Sequence, residues 1–195
     1  MLACKKILAE MEAIFFNNPA AKVALFVRHA EKEPLNPVGI SAKGIIDSEE
    51  MGDYLRDVNK TVYIYSSPEY RCVQTAKIIS ERLYCTEIVE TNFLGVPGAQ
   101  IIDESAYAKL YEKYLCREIF SQWKQGLHYD IMCSPIQLKK RTIDFFKKNF
   151  KSGINLCISQ SGTIASIGYA LGLVDYNVAA GEWVAYLDGF SKSVY

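Results

Sequence analysis

Lys22-Val23-Ala24-Leu25-Phe26-Val27-Arg28-His29-Ala30-Glu31 is the stretch on which the reading of this chain turns. Its apolar run shows no polar alternation, which describes a short strand buried on both faces, as in parallel sheets. The strand stops on two residues of chemical use, Arg28 and His29. The same layout recurs twice. Thr61 to Tyr65 is a β-branched and aromatic strand that runs into Ser66-Ser67-Pro68-Glu69-Tyr70-Arg71-Cys72-Val73-Gln74-Thr75-Ala76. Ile154 to Ser159 is another buried strand and ends on Gln160-Ser161-Gly162-Thr163.

Helical signals fill the intervals. Ser41 is a good N-cap for a helix through about Val58, with Gly44, Ser48, Met51 and Leu55 on one face. Ser67 is expected to cap a helix with Pro68 at its first position and Val73, Ala76, Ile79 and Leu83 as its buried stripe. Ser134-Pro135 repeats that signature and opens a helix to Phe150, and Gly162 to Leu171 reads as a further helix. Glu87 to Glu90 and Glu182 to Leu187 read as a short and a final strand. Strands alternating with helices predict a three-layer α/β/α architecture with a mostly parallel central sheet. Ligands of such sheets bind beyond the carboxyl ends of the strands, where Arg28, His29, Arg71 and Gln160 all fall.

The 195 residues suit a single domain spanning 1–195. An amphipathic helix is expected over about residues 1–20, carrying Ile7, Leu8, Met11, Ile14 and Phe15 at helical spacing. Residues 92–132 read as an insertion covering the site, irregular at Gly95, Pro97 and Gly98 and helical from Ser105 to about Trp123. Half of the chain is hydrophobic, and 22 Lys plus Arg balance 22 Asp plus Glu. A zero net charge argues against a non-specific nucleic-acid binder. No apolar run approaches the roughly 18 to 20 residues of a membrane span. The six cysteines are too widely spaced for a redox motif or a zinc knuckle, and free buried thiols in a reducing, cytoplasmic setting are expected. Met1-Leu2-Ala3-Cys4 has a faint look of a lipoprotein box with nothing before it to act as a signal.

Two guanidiniums, Arg28 and Arg71, can hold a phosphate by paired charge-assisted bonds. A helix N-terminus after Pro68 adds free N–H groups. A neutral imidazole aimed at phosphorus is a competent nucleophile, which gives His29 a role that a lone strand-end histidine would not have. His128, in a loop-like stretch, has a plainer reading, as do Lys139, Lys140, Arg141, Lys147 and Lys148, expected as the solvated face of a helix. Tyr107, Tyr111 and Tyr114 read as a packing stripe. Ser161-Gly162-Thr163 lacks the spacing and the lysine of a P-loop.

Arg28-His29, Ser67-Pro68 with Arg71, Gln74, Thr75 and Ala76, and Ile40-Ser41-x-x-Gly44 together resemble the histidine phosphatase (phosphoglycerate mutase-like) superfamily. The resemblance runs from about residue 22 to 187. It implies that His29 takes the phosphoryl group and that Arg28 and Arg71 bind it, with no metal and no cofactor. Leu94-Gly95-Val96-Pro97-Gly98 followed by Asp103 is similar to a branch with a Pro-Gly insertion, some members of which end the late strand on His-Asp. Here that pair is Gln160-Ser161, so Gln160 replaces the second active-site histidine. An amide can donate to a phosphate oxygen but carries no charge. Asp103 is the first candidate for a substitute proton donor, ahead of Glu104, Glu31 and Glu33.

The expected function is therefore hydrolysis of a phosphate monoester through a phosphohistidine, with activity reduced at Gln160. The expected partner is a phosphorylated small molecule or a phosphoprotein, with no nucleic acid and no membrane. The alternative is an impaired family member, a pseudoenzyme that binds a phosphorylated ligand without turnover.

Overall fold

The computed structural model describes residues 5–34, 39–84 and 87–194. Met1 to Cys4, Asn36, Pro37 and Cys85 lie outside them. Five strands form one sheet: β1 (Lys22–Arg28), β2 (Val62–Ser66), β3 (Ile88–Glu90), β4 (Gly153–Ser159) and β5 (Gly189–Val194). Their order is β3-β2-β4-β1-β5. All neighbours are parallel except β1 and β5, which run antiparallel. The helices are α1 (Lys5–Asn17), α2 (Ala42–Asp57), α3 (Tyr70–Leu83), α4 (Glu104–Lys113), α5 (Cys116–Lys124), α6 (Pro135–Asn149) and α7 (Ser161–Ala170).

Successive strand residues point to opposite faces, and this sorts the core into two halves. Val23, Leu25 and Val27 of β1, with Ile154, Leu156 and Ile158 of β4, pack beneath α1, α2 and α3. Ala24, Phe26 and Cys157 face the other way, onto α4 to α7. The sheet is thus covered on both sides, which is why β1 and β4 are apolar throughout. On the second side Phe26 stacks on Phe190 with centroids 4.9 Å apart.

The helix expected after Ser41 forms as read. The Ser41 hydroxyl accepts from the Gly44 N–H at 3.0 Å, and Gly44, Ser48, Met51 and Leu55 are all buried. Ser134 opens α6 with a capping box completed by Gln137, and the five basic residues of that helix are exposed.

Four expectations shift. Helix α3 begins two residues later than Ser67-Pro68 suggested, with Glu69 at its N-cap. Ser67 stays with the sheet because its N–H donates to the Ile158 carbonyl at 2.9 Å, extending the β2–β4 ladder. The buried stripe of α3 is rotated. Cys72, Thr75, Ala76 and Ile79 are buried while Val73 and Leu83 are half-buried, because Thr75 is drawn inward by backbone bonds described below. The Tyr-rich stretch is two helices, broken where the Leu115 N–H takes the Glu118 carboxylate as its acceptor at 2.8 Å. The last strand lies at Gly189–Val194, not at Glu182–Leu187, because the earlier segment is used to hold Arg28. Among the described residues, no helix is long and apolar enough to cross a membrane.

Candidate active site

β2, β4 and β1 are adjacent and parallel, so their carboxyl ends bring Ser67, Gln160 and His29 to one edge. The ladder continues one residue past β1, where the His29 N–H donates to the Ser159 carbonyl at 2.9 Å. The backbone of His29 is therefore as fixed as the strand itself.

His29 is only 3% exposed. Its Nδ1 lies 2.7 Å from the Ala30 carbonyl oxygen. A carbonyl only accepts, so Nδ1 carries the proton and Nε2 keeps its lone pair. Burial, reinforced by the positive charges of Arg28, Arg71 and Lys32, pulls the imidazole down to about 4, against a weaker upward pull from the Ala30 bond. The ring is neutral at physiological pH, the state a nitrogen nucleophile needs.

The support of that ring comes from α2 and α3. The Ala30 N–H donates to Thr75 Oγ1 at 3.1 Å, and the Thr75 hydroxyl donates to the Arg71 carbonyl at 2.8 Å. One threonine therefore joins the loop after β1 to the turn carrying Arg71. Gln74 Oε1 accepts from the Ile40 N–H at 3.0 Å, and the Ser41 N–H donates to the Glu31 carbonyl at 2.8 Å. A Cβ on Gly44 would lie 2.5 Å from that same carbonyl oxygen, which accounts for the glycine. The scattered residues Ser41, Gly44, Gln74 and Thr75 thus form one brace around the His29 loop.

Arg28 is held from the C-terminal segment. Its Nη1 donates to the Val184 carbonyl at 2.8 Å, and its guanidinium lies 4.0 Å from the centre of the Tyr186 ring. The Tyr186 ring is also 5.7 Å from that of His29. Tyr186 therefore borders both Arg28 and His29, and nothing in the sequence pattern marked it.

Gln160 is the N-cap of α7, and its amide Nε2 donates to Ser67 Oγ at 3.0 Å. Cys72 Sγ lies 3.5 Å from the same nitrogen, and the Ser159 hydroxyl, which donates to the Leu94 carbonyl at 2.6 Å, lies 3.3 Å from Gln160 Oε1. The amide is thus woven into the strand ends. The amide offers a dipole but no charge to the cavity that it lines.

A cavity of about 620 Å³ opens at these strand ends. Arg28, His29, Lys32, Arg71 and Gln160 share its wall with the first residues of α7, Ser161 to Thr163. The N-terminal N–H groups of α7 and the positive end of its dipole favour an anion there. The segment between β3 and α6 supplies the other wall, through Val96, Pro97, Gln100, Ile101 and one face of α4. Asp103 is not on this wall. Its carboxylate caps α4 by accepting from the Ala106 N–H at 2.9 Å, whereas Glu104, Glu69 and Glu112 do line the cavity. Glu31 accepts from the Ser41 hydroxyl at 3.2 Å, and neither Glu31 nor Glu33 lines the cavity. His128 pairs with Gln122 Oε1 at 2.7 Å, away from it. Of the three tyrosines, Tyr107 and Tyr111 both line the cavity, Tyr107 from a buried position, and Tyr114 faces outward. Cys72, Cys133 and Cys157 are free and buried, as expected, whereas Cys116 is free but half-buried and lines the cavity.

The architecture is that of known phosphatases. A phosphoserine phosphatase of Entamoeba histolytica, solved with 3-phosphoglyceric acid, superposes with a TM-score of 0.57 at 15% identity, covering 89% of this chain and 95% of that one. A mycobacterial glucosyl-3-phosphoglycerate phosphatase gives 0.54 at 14% identity, covering 86% of this chain and 87% of that one. At such identity these likenesses speak for the fold. No curated protein sequence matches the chain. The sequence profile of the histidine phosphatase superfamily (branch 1) matches residues 24–157, from the middle of β1 to the middle of β4. That span covers most of the chain and takes in Arg28, His29 and Arg71, and the protein belongs to the histidine phosphatase superfamily.

Proposed function

We propose that the protein hydrolyses a small phosphate monoester through a phosphohistidine at His29. The observation that carries this reading is the buried, neutral His29, its Nδ1 proton committed to Ala30, in one cavity with Arg28 and Arg71. In the first step the Nε2 lone pair forms a bond to phosphorus, and the ester P–O bond breaks with its electron pair leaving on oxygen. Arg28, Arg71 and the N–H groups of α7 stabilise the charge on the remaining phosphoryl oxygens. The leaving oxygen takes a proton from Glu69, the cavity-lining carboxyl group two residues before Arg71. Water then attacks the phosphoryl group, the P–N bond breaks with its pair returning to Nε2, and the water's proton restores the Glu69 acid. A cavity of this volume suits a small molecule.

A second reading, a binder with little turnover, is favoured by Gln160. Its amide is tied to Ser67 and cannot bear positive charge in the transition state.

Hydrolysis of a chromogenic phosphate ester, followed across pH 4 to 8 with His29→Ala alongside, separates the two. Turnover that His29→Ala abolishes supports the phosphatase. Glu69→Gln is then expected to slow esters of poor leaving alcohols by about 10²-fold or more, and chromogenic esters far less. Vanadate binding without His29-dependent turnover supports the binder.

A further inference from the structure

The cavity has a second chemical character beside its phosphoryl end. Glu104, Tyr107, Ala108, Tyr111 and Glu112 stand at i, i+3, i+4, i+7 and i+8 of α4, one continuous helical face, and all five line the cavity. The rings of Tyr107 and Tyr111 lie 6.0 Å apart, tilted by 40°. Arg28 and Arg71 are close enough to Tyr111 to pull its hydroxyl downward against the larger upward effect of burial, so this face borders the phosphoryl end. Among the described residues, neither Glu104 nor Glu112 is joined to a cation.

Gln100 adds an independent observation. It is 3% exposed and lines the cavity, and its Nε2 donates to Thr163 Oγ1 at 3.4 Å. Its Oε1 is buried and accepts no hydrogen bond among the described residues. A buried acceptor left unpaired is costly, so a small turn of the Gln100 amide toward a donor in the cavity would be favoured. Val96, Pro97 and Ile101 complete the wall with apolar surface.

We propose that the ligand is a zwitterion, the phosphate monoester of an amine-bearing apolar alcohol or phenol. The proposal rests on the reading of Arg28, His29 and Arg71 as the phosphoryl site and adds what the other end of the cavity selects. The apolar body lies against Val96, Pro97 and the tyrosine rings. The ammonium group lies at α4, where the carboxylates of Glu104 and Glu112 and the tyrosine faces all attract a cation. A turn of the Gln100 amide would let its Oε1 accept from an N–H or O–H of the ligand. A ligand with a second anionic group in place of the ammonium would meet like charge there.

The test compares tyramine O-phosphate with 4-propylphenyl phosphate, in which a methyl group replaces the ammonium. Dissociation constants are measured calorimetrically on the His29→Ala protein, kcat/KM on the wild type, and vanadate binding on both. The expected result is a preference for the amine on the order of tenfold. It should shrink with added salt and fall to about one in the E104Q/E112Q double variant. Equal binding of the two esters, or a preference that survives the double variant, overturns the proposal while vanadate binding keeps the phosphoryl site. Vanadate binding with neither ester bound overturns it likewise. Loss of vanadate binding as well would remove the phosphoryl reading itself.

Discussion

A buried histidine beside two guanidiniums can act on phosphorus only if it stays neutral and keeps one nitrogen free. His29 meets both conditions through a single backbone oxygen, that of Ala30, and through burial. The consequence is measurable because the chain has only two histidines. In an NMR titration His29, identified by its loss in a His29→Gln variant, is expected to protonate near pH 4. The unfolded imidazole takes its proton near about 6.5 and the folded one only near 4, so between those values the unfolded chain binds more protons. Stability therefore falls as pH drops through that window. Relative to His29→Gln, the wild type should lose up to about 3 kcal/mol between pH 7 and 4, read from denaturant midpoints. Gln160 is the other decisive residue. Gln160→His places a group able to carry charge where an amide now bonds Ser67, and kcat should rise about tenfold or more. An unchanged kcat would show that more of the site than Gln160 limits turnover.

At the scale of elements, the site is a set of strand ends braced by two helices. Ser41 and Gly44 on α2, and Gln74 and Thr75 on α3, bond or pack against the loop that follows β1. Gly44→Ala drives a methyl group against the Glu31 backbone, which cannot retreat without moving His29. The expected cost is about 1–3 kcal/mol, seen as a lowered Tm, with a fall in kcat larger than any change in KM. A KM effect alone would mean that the loop absorbs the methyl group without disturbing His29. β5 and the segment before it act as a further element. Val184 and Tyr186 hold Arg28 through contacts that cross 156 residues of chain for the Val184 bond.

The molecule as a whole places a cationic edge in a chain of zero net charge. Any attraction for anions is thus local, built from Arg28, Arg71, Lys32 and the α7 N-terminus, and enclosed by the segment between β3 and α6. A ligand that binds only the folded state stabilises it by mass action. Vanadate at about 100 times its Kd should add about 2.7 kcal/mol, raising Tm. Arg71→Ala should abolish that shift, and a shift retained in Arg71→Ala would place the anion elsewhere.

The sequence by itself determined the sheet and the position of its chemistry. Apolar runs without alternation mark strands buried on both faces, and Arg28, His29 and Gln160 sit at the ends of two of them, so their convergence follows from parallel pairing. The caps at Ser41 and Ser134 and the small-residue face of α2 were equally legible, because they are local, whereas the cap expected at Ser67 gave way to its bond with the sheet. What only the tertiary structure decided depends on contacts between distant segments. The orientation of α3 is set by Thr75 reaching the Ala30 N–H. The last strand begins at Gly189 because Val184 and Tyr186 are used on Arg28. Asp103 is used as a cap while Glu69, Glu104 and Glu112 face the cavity, a difference of one residue that helical rotation settles and composition does not. Local propensity specifies elements, whereas the facing of a carboxylate or a tyrosine is fixed only when those elements pack.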